Sequence, residues 1–285
     1  MAVDKTAAKK NKRLPKLDLI GADRSRHEVL SPVLQEHFLG SDRTISILEA
    51  GCGRRWDIDL GDVEYSLTGM DISKEALELR NANEGDLDRT IVGDLQTAVL
   101  DSDEFDVVYC VNVIEHINGA ERVVSNLFNW LKPGGLLILA FPNRDSAFGF
   151  ATRFSPHWAH VAVYKHIYRY PHAGEPGYNP FPTYYDKIVS RRGIHDYCNA
   201  HGHRIVMERG KPHDSGRMRM LAPAANAMFN VLHYLSFGAI AVDHGGLVFV
   251  IEKDGEARRT MSSAGSTLPA HTPTSLPNEV CNVLQ

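Results

Sequence analysis

The sequence has little cysteine: four residues in 285, at Cys52, Cys110, Cys198 and Cys281, scattered and without paired spacing. That excludes a disulfide framework and a zinc site of the paired-cysteine kind, and it reads as reduced thiols. The amino terminus lacks the apolar core of a signal peptide, which reads as a protein that is not exported and works in the cytoplasm. Basic charge is not in excess. The 31 Lys and Arg stand against 35 Asp and Glu, a formal net charge of -4, unlike a general nucleic-acid binder. No stretch is apolar throughout a membrane-crossing length. Leu221 to Val242 comes nearest, with no formally charged residue, but Pro223, Asn226, Asn230, His233 and Gly238 dilute it. It reads as a buried helix and turn, with a surface-lying helix or a wall for a lipid-like acceptor as the second reading.

What the sequence does have is a hydrophobic fraction of 43%, enough for a large buried core, and a repeated pattern of apolar runs that end in acid. Ile45, Ile47 and Leu48 read as a buried parallel strand closed by Glu49 and followed at once by Gly51-Cys52-Gly53. Two glycines after a strand let the backbone turn sharply and approach a ligand that a side chain would exclude. Asp71 closes a second run beginning at Tyr65, about twenty residues after the glycines, where a nucleotide-binding sheet sets a carboxylate on a ribose. Asp94 closes a third, Thr90 to Gly93. Three acidic strand ends in succession suggest an adenosine-type ligand lying across the carboxyl edge of a sheet. Alternation of strands and helices continues with a strand at Phe105 to Val113, an amphipathic helix at Gly119 to Leu131 and a fifth strand at Leu136 to Phe141. That order predicts a doubly wound, Rossmann-like α/β sheet.

The motifs EAGCG, GMDIS, VGDLQ, FDVVYCVNVIEHI and LKPGGLLILAFPN resemble, in order and spacing, those of class I S-adenosylmethionine-dependent methyltransferases. The likeness runs from Ile45 to Asn143 and more weakly to about Lys253, and VNVIEHI is similar to a segment of the ubiquinone-pathway O-methyltransferase-like group. The resemblance implies a seven-stranded, mostly parallel sheet with an antiparallel last strand, Arg204 to Glu208 and Leu247 to Glu252 forming its antiparallel pair. It also implies S-adenosyl-L-methionine as cofactor. The backbone at Glu49, Gly51, Cys52 and Gly53 would hold the methionine end, with Cys110 and Val111 contacting its amino group. Asp71 would accept both ribose hydroxyls and Ile72 would lie against the adenine. Asp94 would accept from the adenine amino group and the Leu95 amide would meet a ring nitrogen. A helix over Ala22 to Leu39 would close on the cofactor, with Arg24, Arg26 or His27 either reaching the methionine carboxylate or staying at the surface.

The chain departs from the family at the loop. Arg55 stands where the third glycine usually falls, and RRWDIDLGDVE leaves little room for a first crossover helix. Where the related segment EVxEH supplies two carboxylates and a histidine to a divalent ion, the first position here is Asn112, a weak ligand for a hard cation, so no metal is expected.

Methyl transfer leaves the protein mainly to align an acceptor, and an oxygen acceptor of high pKa also needs a base. Glu115 and His116, after the fourth strand, are the catalytic candidates, His116 as the base. Residues 144–190, rich in Tyr, His and Trp158 and read as an irregular excursion, form with 212–243 an expected cap over a partly apolar acceptor. The domain plan is then a disordered basic tail at 1–21, a methyltransferase domain at 22–255 and a disordered Ser/Thr/Pro-rich tail at 256–285. The expected reaction is methylation of a small or medium-sized metabolite, glycan or lipid-like molecule, at a hydroxyl oxygen. The alternatives are an RNA 2′-O-methyltransferase, disfavoured by the acidic balance, and a non-catalytic module that retains the fold. Membrane-surface contact is compatible with the basic tail; spanning is not expected.

Overall fold

In the computed structural model of the chain, the described residues are 14–21, 24–52, 56, 58–175, 180–212, 222–237 and 240–255. The apolar periodicity that begins at Ala22 yields a shorter helix, α1 (His27–His37), which turns Leu30 and Leu34 inward one turn apart. Next come β1 (Ile45–Ala50), β2 (Tyr65–Asp71), α2 (Lys74–Asn83), β3 (Arg89–Val92) and β4 (Phe105–Val111). Ser73 caps α2 by accepting the Ala76 amide at 3.1 Å, as its residue type before a helical run requires. Beyond a short turn at Ile114–His116 lie α3 (Ala120–Trp130), β5 (Leu131–Pro142), α4 (Ala147–Phe154) and α5 (His157–His166). The chain then forms α6 (Arg191–His201), β6 (Arg204–Lys211), α7 (Ala222–Leu235) and β7 (Gly246–Glu252).

The strands lie in the order β3-β2-β1-β4-β5-β7-β6. β1 to β5 are parallel, and β7 runs antiparallel to both of its neighbours. This is the predicted seven-stranded sheet. Alternate residues face opposite layers: Ile45 and Ile47 join α1, whereas Leu48 and Ala50 join α3 and α6. The strand order reverses between β1 and β4, which opens a crevice at their carboxyl ends. The amino edge is fastened instead. Buried Asp106 accepts from Arg43 (2.5 and 2.7 Å), from the Lys132 ammonium (2.9 Å) and from the Ser46 amide and hydroxyl (2.9 Å each). Burial opposes its charge, but these donors outweigh it and hold the carboxyl well below the usual range.

Several elements differ from expectation. β5 starts at Leu131, five residues early, because Pro133-Gly134-Gly135 is a bulge inside the strand rather than a stop before it. Lys253 closes the bulge: its carbonyl accepts the Gly134 amide and its own amide donates to Gly135. Residues 144–190 are not irregular throughout, since they contain α4, capped by Ser146, and α5, begun by Pro156. The basic tail does not reach residue 21. Leu17 and Ile20 are buried, and Ile20 and Asp18 exchange backbone bonds with Gly210 of β6. α7 leaves Val231, Tyr234 and Leu235 exposed, so its described end is not a buried helix. Residues 1–13 and 256–285, expected as tails, lie outside the described residues.

Candidate active site

The turn after β1 requires glycine at its first position. Gly51 has φ +72, and a Cβ there would stand 2.3 Å from Cγ2 of Val113. The Gly51 and Cys52 amides both donate to the Met70 carbonyl (2.8 and 3.2 Å), which ties the turn to β2. No helix occurs among the described residues between β1 and β2. Support comes from α2 instead. Arg80, fully buried, donates through Nη1 to Glu49 (2.7 Å) and to the Cys52 carbonyl, and through Nε and Nη2 to Asp86 (3.1 and 2.9 Å). The Trp56 amide donates to the same Asp86 carboxylate at 3.3 Å. Burial opposes the guanidinium charge, but Asp86 and Glu49 outweigh it and raise its pKa. Arg80 and Asp86 have no signal in the sequence, since an arginine on a short polar helix reads as solvated. Gly53, Arg54 and Arg55 lie outside the described residues.

Asp71 and Asp94 stand at the carboxyl ends of β2 and β3. Each uses Oδ1 in a local turn: Asp71 accepts the Ser73 amide at 2.9 Å and Asp94 the Gln96 amide at 2.8 Å. That orients both carboxylates and leaves Oδ2 of each without a partner among the described residues. Ile72, beside Asp71, is an exposed apolar side chain, whereas Leu95 is buried and its carbonyl accepts from Asn126. Cys110 is buried, and Val111, the last residue of β4, is half-buried. Burial pushes the Cys110 thiol up, with the Glu115 charge adding to it, so the thiol is inert.

Past β4 the chain turns tightly at Asn112 (φ 56), whose amide donates to the Ala140 carbonyl, and leads into the short turn that carries Glu115 and His116. Glu115 is buried and its Oε2 has no hydrogen-bond partner among the described residues. Burial pushes its carboxyl up to about 7, against the opposing effects of its own amide and the Arg26 charge. The half-buried His116 ring places Nδ1 2.7 Å from the Pro182 carbonyl and Nε2 3.8 Å from Glu115 Oε1. A carbonyl only accepts, so Nδ1 carries the proton and Nε2 presents a lone pair. Burial lowers the imidazole pKa, with the Pro182 bond opposing, so the ring is neutral at pH 7.

The segment 181–186 closes this corner. Phe181 meets the His116 ring edge-on at 5.8 Å, and the Tyr184 amide donates to the Glu115 carbonyl at 2.9 Å. Tyr185, buried at φ 50, is bonded to Thr152 of α4. Asp186 accepts the Gly119 and Ala120 amides at 2.7 and 2.8 Å and so caps α3. Replacing Asp186 by alanine is expected to cost about 1 kcal/mol of stability, the usual value of a helix cap. The Pro182 carbonyl would lose its fixed place at the same time. Chemical denaturation checks the first effect and the imidazole NMR titration of His116 the second. Trp158 and Tyr184 are exposed, whereas Tyr185 and Phe181 flank the Glu115-His116 corner. Among the described residues no three His, Cys, Asp or Glu side chains form a metal-binding group.

A mostly parallel sheet with acidic strand ends beside a tight glycine turn defines a Rossmann-like α/β fold. The chain belongs to the methyltransferase-domain family, whose model matches residues 22–175, more than half of it. A probable S-adenosylmethionine-dependent methyltransferase of Mycolicibacterium smegmatis is 34% identical over 120 residues, 42% of this chain and 45% of that protein. A ubiquinone biosynthesis O-methyltransferase of Rickettsia typhi is 32% identical over 106 residues, 35% of this chain and 42% of that one. The chain thus spans less than half the length of the curated relatives it matches. A methyltransferase structure from Methanosarcina mazei superposes with a TM-score of 0.48 at 16% identity, covering 79% of this chain and 98% of that one.

Proposed function

We propose that the protein transfers a methyl group from S-adenosyl-L-methionine to a hydroxyl oxygen of a small or medium-sized metabolite, glycan or lipid-like acceptor. The observation that supports the reading is the His116 ring: the Pro182 carbonyl holds its tautomer, and its unprotonated Nε2 stands 3.8 Å from Glu115 Oε1, five residues past β4 in sequence. When bound, the cofactor supplies an electrophilic sulfonium methyl. The protein's share is to hold, align and deprotonate. Asp71 and Asp94 would use their remaining oxygens on ribose and adenine donors, with the exposed Ile72 against the base and Leu95 beside it. Glu49, Gly51, Cys52 and Gly53, with Cys110 and Val111, would surround the methionine end. The residues fit such a group, because two oriented carboxylates and an exposed apolar side chain stand at the carboxyl ends of the adjacent strands β2 and β3. The acceptor hydroxyl would give its proton to His116 Nε2. Glu115, next to it, would set the basicity of that nitrogen. Residues 144–190 and 212–243 would cap the acceptor.

An unpaired buried donor costs about 1–3 kcal/mol, so Asp71→Ala and Asp94→Ala should each weaken cofactor binding by roughly ten- to a hundredfold. Calorimetric titration with S-adenosylmethionine and its demethylated product tests this. Unchanged affinity in both variants removes the assignment, and no heat with the unmodified chain favours a non-catalytic module.

A further inference from the structure

Exposed apolar side chains occur on α4, α5 and α7, of which α4 and α7 are in contact. Phe154 ends α4, Trp158 in the first turn of α5 is 73% exposed, and α5 buries none of its residues. At the end of α7, Tyr234 is 81% exposed, Val231 and Leu235 are exposed, and Phe237 just beyond stands 99% free. The chain after α7 is bonded to the start of α4: Ala147 donates to the Ala241 carbonyl and Ala241 to that of Asp145. We propose that these elements form a docking surface for an anionic lipid bilayer, on which the protein lies without crossing it. This inference does not depend on the methyl-transfer reading.

Charge selects the occupant. Residues 144–175, which hold α4 and α5, carry Arg144, Arg153, Lys165 and Arg169 against two exposed carboxylates at the borders, Asp145 and Glu175, an excess of basic charge in a chain of net charge -4. The described part of α7, Ala222–Leu235, holds no formally charged residue. A surface meant for a second protein usually mixes both signs at its rim, whereas aromatic rings interleaved with basic residues suit the headgroup layer. Arg153 has its guanidinium 4.8 Å from the Phe154 ring centroid, so cation and ring can enter one interface together. No described helix is long and apolar enough to cross a membrane. The first sixteen residues add Lys5, Lys9, Lys10, Lys12, Arg13 and Lys16 against Asp4, a second attraction to the same partner.

Trp158 provides the probe, because Trp130 is buried and Trp56 is half-buried. Full-length protein should float with vesicles of phosphatidylglycerol and phosphatidylcholine, and more weakly with phosphatidylcholine alone. Its tryptophan emission should shift to the blue and resist iodide when vesicles are added, and Trp158→Phe should float without that shift. Trp158→Gln combined with Phe237→Gln should lower partitioning by about tenfold or more, as expected when buried rings are withdrawn. Arg153→Glu with Arg169→Glu should remove the preference for the anionic vesicles. The proposal is overturned if the protein floats with neither vesicle, if the ring variant partitions unchanged, or if iodide still quenches Trp158 on floating protein. It is also overturned if light scattering shows a dimer that the same ring substitutions dissolve.

Discussion

Replacing His116 by alanine is expected to lower kcat by about a hundred- to ten-thousandfold, the range a positioned general base supplies. Cofactor affinity should stay near that of the unmodified chain, because no cofactor contact assigned above uses this ring. The pH profile carries further information. Burial holds the His116 pKa below its ordinary 6.5, so the base is available at neutrality and is lost as pH falls through that lowered value. Glu115 is pushed up to about 7, and its ionisation next to Nε2 should strengthen the base, adding a second rise near neutral pH. Since Nε2 and Oε1 are 3.8 Å apart, the two steps belong to the pair rather than to either residue. A chelator should leave the rate unchanged. Steady-state kinetics over pH decides it. Near-full turnover in His116→Ala means that alignment alone drives the reaction, and loss of rate on chelation with recovery on adding a divalent ion means a metal.

Arg80→Ala should be the most destabilising single change near the site. It would leave Glu49 and Asp86 without a cation that is wholly buried, and breaking a buried ion pair from one side costs about 3–5 kcal/mol. For a domain of this size that corresponds to a fall in Tm of roughly 6–20 °C, on the order of 2–4 °C per kcal/mol. The Cys52 carbonyl would lose its donor as well, so the turn after β1, proposed above to hold the cofactor, should loosen beyond what lower stability alone explains. Combining Arg80→Met with Glu49→Gln and Asp86→Asn removes the stranded charges, and should recover part of the Tm without recovering the loop. Differential scanning calorimetry gives the first number and cofactor titration the second. A shift of only a degree or two shows that water reaches Glu49 and the brace is dispensable.

The sheet was legible because apolar runs and their acidic ends are local signals. Ser73, Asp71 and Asp94 announce themselves by residue type and by neighbours two or three positions away. What stayed hidden depends on partners distant in sequence. The Pro182 carbonyl that sets the His116 tautomer is 66 positions away, and nothing about a proline in an aromatic stretch marks it as an acceptor. Arg80 reaches Glu49 across 31 positions. Pro133-Gly134-Gly135 have the residue types of a helix stop, but α3 already ends at Trp130 and these residues are the bulge that lets Leu131 begin the strand. α4 and α5 were obscured by aromatics, which are weak helix formers and common in loops alike. The shortened crossover was readable, since Asp57, Asp59, Gly61 and Asp62 favour turns. That its support would come from a buried arginine was not.

Every open sheet has two margins where unpaired amides and carbonyls invite a second chain. One margin here is β3, four residues long and led by charged Arg89, too short and too polar to template much. The other is β6, where the chain's own residues 17–20 lie along Gly210 with Leu17 and Ile20 tucked beneath. The family match begins at residue 22. The piece that shields the longer margin from self-association therefore precedes the matched segment and lies at β6, the opposite margin of the sheet from β3.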